Sequence, residues 1–183
     1  CGSHYWLGHF MISHWAKGPS PVLEKITPKM LDLALPKLIS GEHSMCFALS
    51  EPGAGSDAAM IKTRAEKDGD GWRLTGSKIW ITNSPYAQYA VVFAVTNPEL
   101  AGKRKGGISA FLVPTDSPGF KVEFFWWTFN MPTDHAEVSL TDVRVGQDAV
   151  FGPPEQGLAL AQHFAVQPHV AARDLDPGVA AGA

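Results

Sequence analysis

Between Met45 and Leu140 no stretch holds a helical period long enough to make a helix of ordinary length. Instead, short runs rich in Val, Ile, Phe, Trp and Thr are cut apart by Gly, Pro, Asp and Asn. Met45–Leu49, Ile61–Glu66, Trp72–Leu74, Lys78–Thr82, Ala90–Val95, Ile108–Val113 and Ala136–Leu140 each read as a strand. Asp68-Gly69-Asp70-Gly71 lies between two of them and is a hairpin signal, because Gly and Asp tolerate the positive φ that tight turns require. Short strands at this spacing predict a sandwich or a barrel.

The two ends read differently. Residues 1–44 look mostly helical with breaks. Thr27 can cap a helix whose first position is Pro28, Pro36 interrupts or kinks it, and Gly41 is a plausible stop. Beyond Gly157, Leu158–Val166 is helical again, and Asp176-Pro177-Gly178 leads into a tail of small residues. The expected class is therefore α+β. A β-rich middle (45–150) is flanked by the end of one helical region (1–44) and the start of another (151–183). The first residues contain no initiator Met and no charged segment ahead of an apolar core, so the chain reads as part of a longer frame, without a signal peptide.

Composition narrows the function. A net charge of −3 and a pI near 6.2 offer no basic surplus for nucleic acid or an anionic membrane. The longest apolar runs, such as Tyr89–Val95, are too short to span a bilayer as a helix. Two cysteines, Cys1 and Cys46, make no disulfide framework and fit a reduced, intracellular, soluble protein, in the cytoplasm or the mitochondrial matrix. The seven histidines are scattered and form no ligand spacing with the cysteines, so no metal site is expected.

Two segments carry chemistry. In Cys46-Phe47-Ala48-Leu49-Ser50-Glu51-Pro52-Gly53-Ala54-Gly55-Ser56-Asp57 a strand runs into a loop with two glycines one residue apart. Such a loop can bring backbone N–H groups close to a phosphate, and Ser56 or Asp57 can cap the short helical turn after it. By itself a Gly-x-Gly loop is more often a plain turn. In Gly76-Ser77-Lys78-Ile79-Trp80-Ile81-Thr82-Asn83, the period of two puts Trp80 and Thr82 on one side of a strand. A flat aromatic beside a hydroxyl suits a planar heteroaromatic ring with polar edges. By itself Trp80 is more often a core residue.

Taken together, these segments resemble the middle domain of the acyl-CoA dehydrogenase family. The run Cys46–Asp57 is close to a family signature, and Ile61-Lys62-Thr63 and Gly76–Asn83 follow in the family's order and spacing. Gly107–Val113, Pro118-Gly119-Phe120, Val138–Val145 and Gly152–Leu160 resemble later parts. The resemblance implies a β-barrel between two helical domains, with FAD between the barrel and the C-terminal helices. It implies that Phe47, Leu49 and Ser50 line the flavin and that Gly55 and Ser56 approach the pyrophosphate, Ser56 also lying near acyl-CoA. Trp80 would stack on the ring, Ile81 would add backbone contacts, and Thr82 would place its hydroxyl near the hydride-accepting atom. It further implies a homo-oligomer and an electron-transfer flavoprotein as electron acceptor.

The family's reaction takes a proton from the α carbon of an acyl-CoA thioester with a glutamate, and a hydride from the β carbon with the flavin. No catalytic residue is assigned in this chain. Val166-Gln167-Pro168-His169, the stretch comparable to one family position for the base, has neither Glu nor Arg, and Glu51 is expected to stabilise the glycine loop. Phe124-Phe125-Trp126-Trp127-Thr128-Phe129 departs from the family and reads either as an ordinary strand or as altered sequence. With six Trp, ten Phe and little helix to cover a barrel, an exposed apolar surface is expected. A non-catalytic flavin- or CoA-binding β-domain and an acyl-CoA oxidase are the alternatives.

Overall fold

A computed structural model describes residues 32, 34, 36–38, 40–128 and 131–162. Among the described residues there are eight strands: β1 (Met45–Ala48), β2 (Arg64–Asp68), β3 (Gly71–Thr82), β4 (Tyr89–Val95), β5 (Ile108–Pro114), β6 (Phe120–Thr128), β7 (Met131–Val145) and β8 (Val150–Phe151). One short helix, α1 (Pro98–Gly102), is capped by the Asn97 side chain and begins on proline. The strands join in a single sheet of order β6-β7-β3-β2-β4-β5-β8, with β1 lying parallel to β4. The sheet rolls up: Leu74 and Ile81 of β3, Val92 of β4, Phe111 of β5 and Val138 of β7 meet in one interior cluster. Trp72 of β3 sets its ring against Phe111 of β5 at 5.5 Å. The expected barrel is thus a curled sheet whose hydrogen-bonded path runs from β6 to β8 among the described residues.

Several expected strands change length. Trp72–Leu74 and Lys78–Thr82 are one strand of twelve residues, since β7 pairs along nearly all of it and carries it past Gly76. β7 itself extends well beyond Ala136–Leu140. The second strand begins at Arg64 rather than Ile61: the Lys62 and Thr63 N–H groups donate to the Glu51 side chain, while the Thr63 carbonyl already accepts from the Val95 N–H of β4 at 2.7 Å. The aromatic stretch from Phe124 is an ordinary strand, β6, paired with β7.

β4 is apolar on both faces, and both are buried from Ala90 to Ala94. The outer face of β4 and β5 is covered by Ala34 and Leu38 from before the sheet and by Leu158, Leu160 and Ala161 after it. Gly41, at φ 76, ends the first helical stretch, where a left-handed residue is needed. Pro36 stands within helical residues 36–38. Thr27, Pro28, His163, His169 and Asp176-Pro177-Gly178 lie outside the described residues.

Candidate flavin-facing site

Sequence brings β1 and β2 to the same edge of β4, one after the other. β1 follows β4 until Ala48 stands opposite Val92, and β2 rejoins it where Arg64 stands opposite Val95. Between them the chain leaves the sheet as the 49–63 loop, which splits the ladder beside Phe93. Lys78, fully buried on β3, fills that split. Its ammonium donates to the Phe93 carbonyl at 2.7 Å, the Leu49 carbonyl at 3.2 Å and Glu51 Oε1 at 2.8 Å. A buried cation is tolerable only with acceptors converging on it, and here two of the three are carbonyls beside the split.

Glu51 completes the arrangement. Its carboxylate accepts from the Lys62 N–H at 2.6 Å, the Thr63 N–H at 3.0 Å and the Thr63 hydroxyl at 2.5 Å. Its backbone exchanges two hydrogen bonds with Ala54, closing a tight turn. One side chain therefore ties the exit of the loop to its return, the stabilising role expected of it. Burial alone would raise the Glu51 carboxyl, but the Lys78 ammonium and the bonds from Lys78, Thr63 and Lys62 outweigh it and hold the group below its ordinary value. Burial pulls Lys78 down to about 8, with Glu51 resisting the fall. Gly76 is required beside this cluster, since a Cβ there would lie 2.4 Å from the Thr63 hydroxyl.

The two segments singled out in the sequence lie side by side. The Ile79 N–H donates to the Ser50 carbonyl at 2.9 Å, Lys78 reaches Leu49, and the Asn83 amide donates to Ser44 Oγ and to the Met45 carbonyl. Phe47 is half-buried, its ring 4.7 Å from Phe93, and Leu49 packs on the same outer cluster. Gly55 and Ser56 are exposed beyond the Glu51–Ala54 turn. No protein atom lies within 4 Å of where a Cβ on Gly55 would sit, and its φ is not positive. Neither packing nor backbone conformation demands glycine there. An approach from outside the protein would. Asp57 caps nothing in the three-residue turn Ala58–Met60, because its carboxylate pairs with Arg104 at 2.5 Å instead.

The second segment carries a bulge. Opposite β7, Ile79 and Trp80 share the single position of Glu137. An unbroken period of two would put Trp80 and Thr82 on the inward side with Lys78. The extra residue reverses the phase, so Lys78 and Ile81 both point to the core while Trp80 is 47% exposed and Thr82 half-buried. Trp80 and Thr82 do share a side, as expected, and the bulge makes it the outer one. It also leaves Trp80 at φ 61, a strained position for a bulky residue. Trp80 stacks on Trp126 of β6 at 4.6 Å, and Phe124 meets Trp126 edge-on at 5.1 Å. Ile81 has its side chain in the core and its carbonyl on Ser84. The Thr82 hydroxyl lies 2.9 Å from Nδ1 of His135, its partner across the ladder. Lys78, Trp126 and His135 escaped the sequence reading. A lysine in an apolar strand was the signal for the first; the other two depend on strand pairing.

Exposed apolar side chains concentrate on the sheet edge. Phe124, Phe125 and Trp127 of β6 are 46–65% exposed. The outer face of β4 and β5, by contrast, is covered. Cys46 is a buried free thiol, pushed up to about 12 by burial. Among the described residues no cluster of His, Cys, Asp and Glu could hold a metal ion, and no helix is long and apolar enough to cross a membrane.

The model of the acyl-CoA dehydrogenase middle domain matches residues 46–143, more than half of the chain. The chain belongs to the acyl-CoA dehydrogenase family. It is 45% identical over 125 residues to the human mitochondrial short-chain specific acyl-CoA dehydrogenase, covering 67% of this chain and 29% of that protein. It is 33% identical over 171 residues to the cyclohexane-1-carbonyl-CoA dehydrogenase of Syntrophus aciditrophicus, covering 92% of this chain and 43% of that one. Among solved structures, an acyl-CoA dehydrogenase from Geobacillus kaustophilus superposes with a TM-score of 0.71 at 32% identity, over 80% of this chain and 39% of its own. A glutaryl-CoA dehydrogenase from Mycobacterium smegmatis in complex with FADH2 gives 0.68 at 34%, over 78% and 35%. The chain thus spans less than half the length of these family members, and the middle-domain match falls on residues 46–143.

Proposed function

We propose that this chain supplies the β-domain wall of an FAD site in an enzyme that removes two hydrogens from the α and β carbons of an acyl-CoA thioester. The observation that supports it most is the joining of the two family segments. β1 and β3 are stitched together through Ser50–Ile79 and Leu49–Lys78, and a bulge turns Trp80 and Thr82 outward beside that seam. The donor set fits a flavin. Trp80 offers an exposed aromatic face, Thr82 and Ser50 offer hydroxyls, and the uncrowded backbone at Gly55 and Ser56 can approach a pyrophosphate. Phe47 and Leu49 make the apolar lining, Ile81 anchors the strand between Trp80 and Thr82, and Ser56 also faces the acyl-CoA. FAD, when bound, supplies the hydride acceptor. The chain's own part is to hold the ring, orient its polar edge and exclude water from one side.

No base is assigned here. Glu51 is committed to Lys78, Thr63 and Lys62 and cannot abstract a substrate proton without breaking that cluster. The division 1–44, 45–150 and 151–183, homo-oligomeric assembly, transfer of electrons to an electron-transfer flavoprotein and an intracellular setting belong to the same proposal. The relatives are mitochondrial and bacterial dehydrogenases, and one structural neighbour is an electron transferring flavoprotein of Acidaminococcus fermentans.

The test is FAD titration followed by quenching of flavin fluorescence. Losing one aromatic stack is worth on the order of 1 kcal/mol, so Trp80→Ala is expected to weaken binding about fivefold, with Thr82→Val weakening it between about twofold and tenfold, the range of one hydrogen bond, and shifting the flavin spectrum. Equal affinity and an unshifted spectrum in both variants would remove the proposed site.

A further inference from the structure

Resting on that reading of the site, we propose that His135 is a positioning residue for Thr82. By donating its Nδ1 proton to Thr82 Oγ1, it leaves the threonine's own proton free to be donated outward to the flavin edge. The contact follows from the register. Only with the extra residue at Ile79–Trp80 does Thr82 stand opposite His135; an unshifted ladder would place it opposite Asp134. Two further bonds hold the imidazole's strand in place. The Asn83 N–H donates to the Asp134 carbonyl at 3.1 Å, and the Thr133 hydroxyl, itself donating to the Trp126 carbonyl at 2.8 Å, accepts from the His135 N–H at 3.3 Å.

The direction of the Thr82–His135 bond is the point at issue. A hydroxyl has one proton to donate, and a neutral imidazole has one nitrogen that donates and one that accepts. If Nδ1 were bare, Thr82 would give its proton to His135 and present only lone pairs outward. The Asp134 carboxylate decides between the two, since Oδ1 lies 3.4 Å from the same Nδ1. An ionised carboxylate can only accept, so its negative charge draws the imidazole proton to the nitrogen facing both it and Thr82. Thr82 then accepts from His135 and donates elsewhere. His135 is half-buried on β7, beside the strand that carries Trp80 and Thr82, so it acts through Thr82 without needing to touch a ligand.

Two measurements test this on the full chain. Long-range ¹⁵N–¹H correlation of the imidazoles, with His135 assigned by its loss in His135→Asn, is expected to show the proton on Nδ1; a proton on Nε2 alone would overturn the proposal. With FAD bound, His135→Phe and Thr82→Val are each expected to weaken binding between about twofold and tenfold, the range of one hydrogen bond. Both should shift the flavin absorbance in the same direction. The double variant should do no more than either alone, and His135→Asn, which keeps an N–H near the position of Nδ1, should recover the parent spectrum. Additive effects, or failure of asparagine to restore where phenylalanine disturbs, would overturn the positioning role while leaving the flavin site standing. A parent chain that takes up no FAD would overturn the flavin reading and this inference together, whatever the tautomer.

Discussion

Replacing Lys78 with methionine keeps the length and most of the volume of the side chain and removes only its charge and donors. The perturbation strands three groups at once. Glu51 loses the cation 2.8 Å away, and the carbonyls of Leu49 and Phe93 lose their shared donor, which was fully buried. At an effective dielectric of about 20, two charges at that separation attract by about 6 kcal/mol. Desolvation of both offsets much of that in the intact pair, but not in the variant, where a buried carboxylate stays behind. Breaking such a pair from one side costs about 3–5 kcal/mol, a large part of the roughly 5–15 kcal/mol that stabilises a domain. Urea denaturation followed by tryptophan fluorescence and far-ultraviolet circular dichroism would measure it as a lowered midpoint at nearly constant slope. Glu51→Gln should also destabilise. The double variant Lys78→Met with Glu51→Gln should be more stable than the two single losses add up to, by about 2 kcal/mol, because no lone charge remains inside. A cost below about 1 kcal/mol for Lys78→Met, or simple additivity in the double variant, would refute the claim that this pair holds the split in the sheet together.

The same cluster sets a pH dependence. The folded Glu51 carboxyl sits below its ordinary value, so its contribution is fully present above about pH 4.5 and is lost as the pH falls through the lower folded value. Midpoints measured across that window should drop more steeply for the parent than for Glu51→Gln, and parallel curves would contradict it. The two glycines near the site should separate. Gly76→Ala forces a methyl against Thr63 and should destabilise by about 1–3 kcal/mol, whereas Gly55→Ala should leave the denaturation midpoint within about 0.5 kcal/mol of the parent and weaken FAD uptake. A Gly55→Ala chain with unchanged FAD affinity would sever the loop from the cofactor.

The fold class, most of the strands and the two site segments were legible in the sequence, for the physical reason that each is a local matter. Alternation, turn residues and a glycine-bearing loop act over a few residues, and Cys46–Asp57 is close to a family signature. Of Glu51's support of its loop, only the turn closed with Ala54 is local in this way; the Lys62, Thr63 and Lys78 groups its carboxylate holds lie 11, 12 and 27 residues away. What only the tertiary structure decided depends on pairing between distant segments. The full extent of β7 is set by β3, and β6 becomes a strand because β7 lies beside it. A period-two reading puts Trp80 and Thr82 on the same side but cannot say which side, since one unpaired residue in the ladder reverses inside and outside for everything after it. Lys78 reads as an ordinary strand lysine until β1 and β2 are seen to part beside Phe93 and leave carbonyls that a cation can fill. His135 is one scattered histidine among seven until the shifted register sets it against Thr82. Hydrogen bonds and charges act over a few ångströms in space, and separations of 27 or 53 residues along the chain close to such distances only after the sheet has curled.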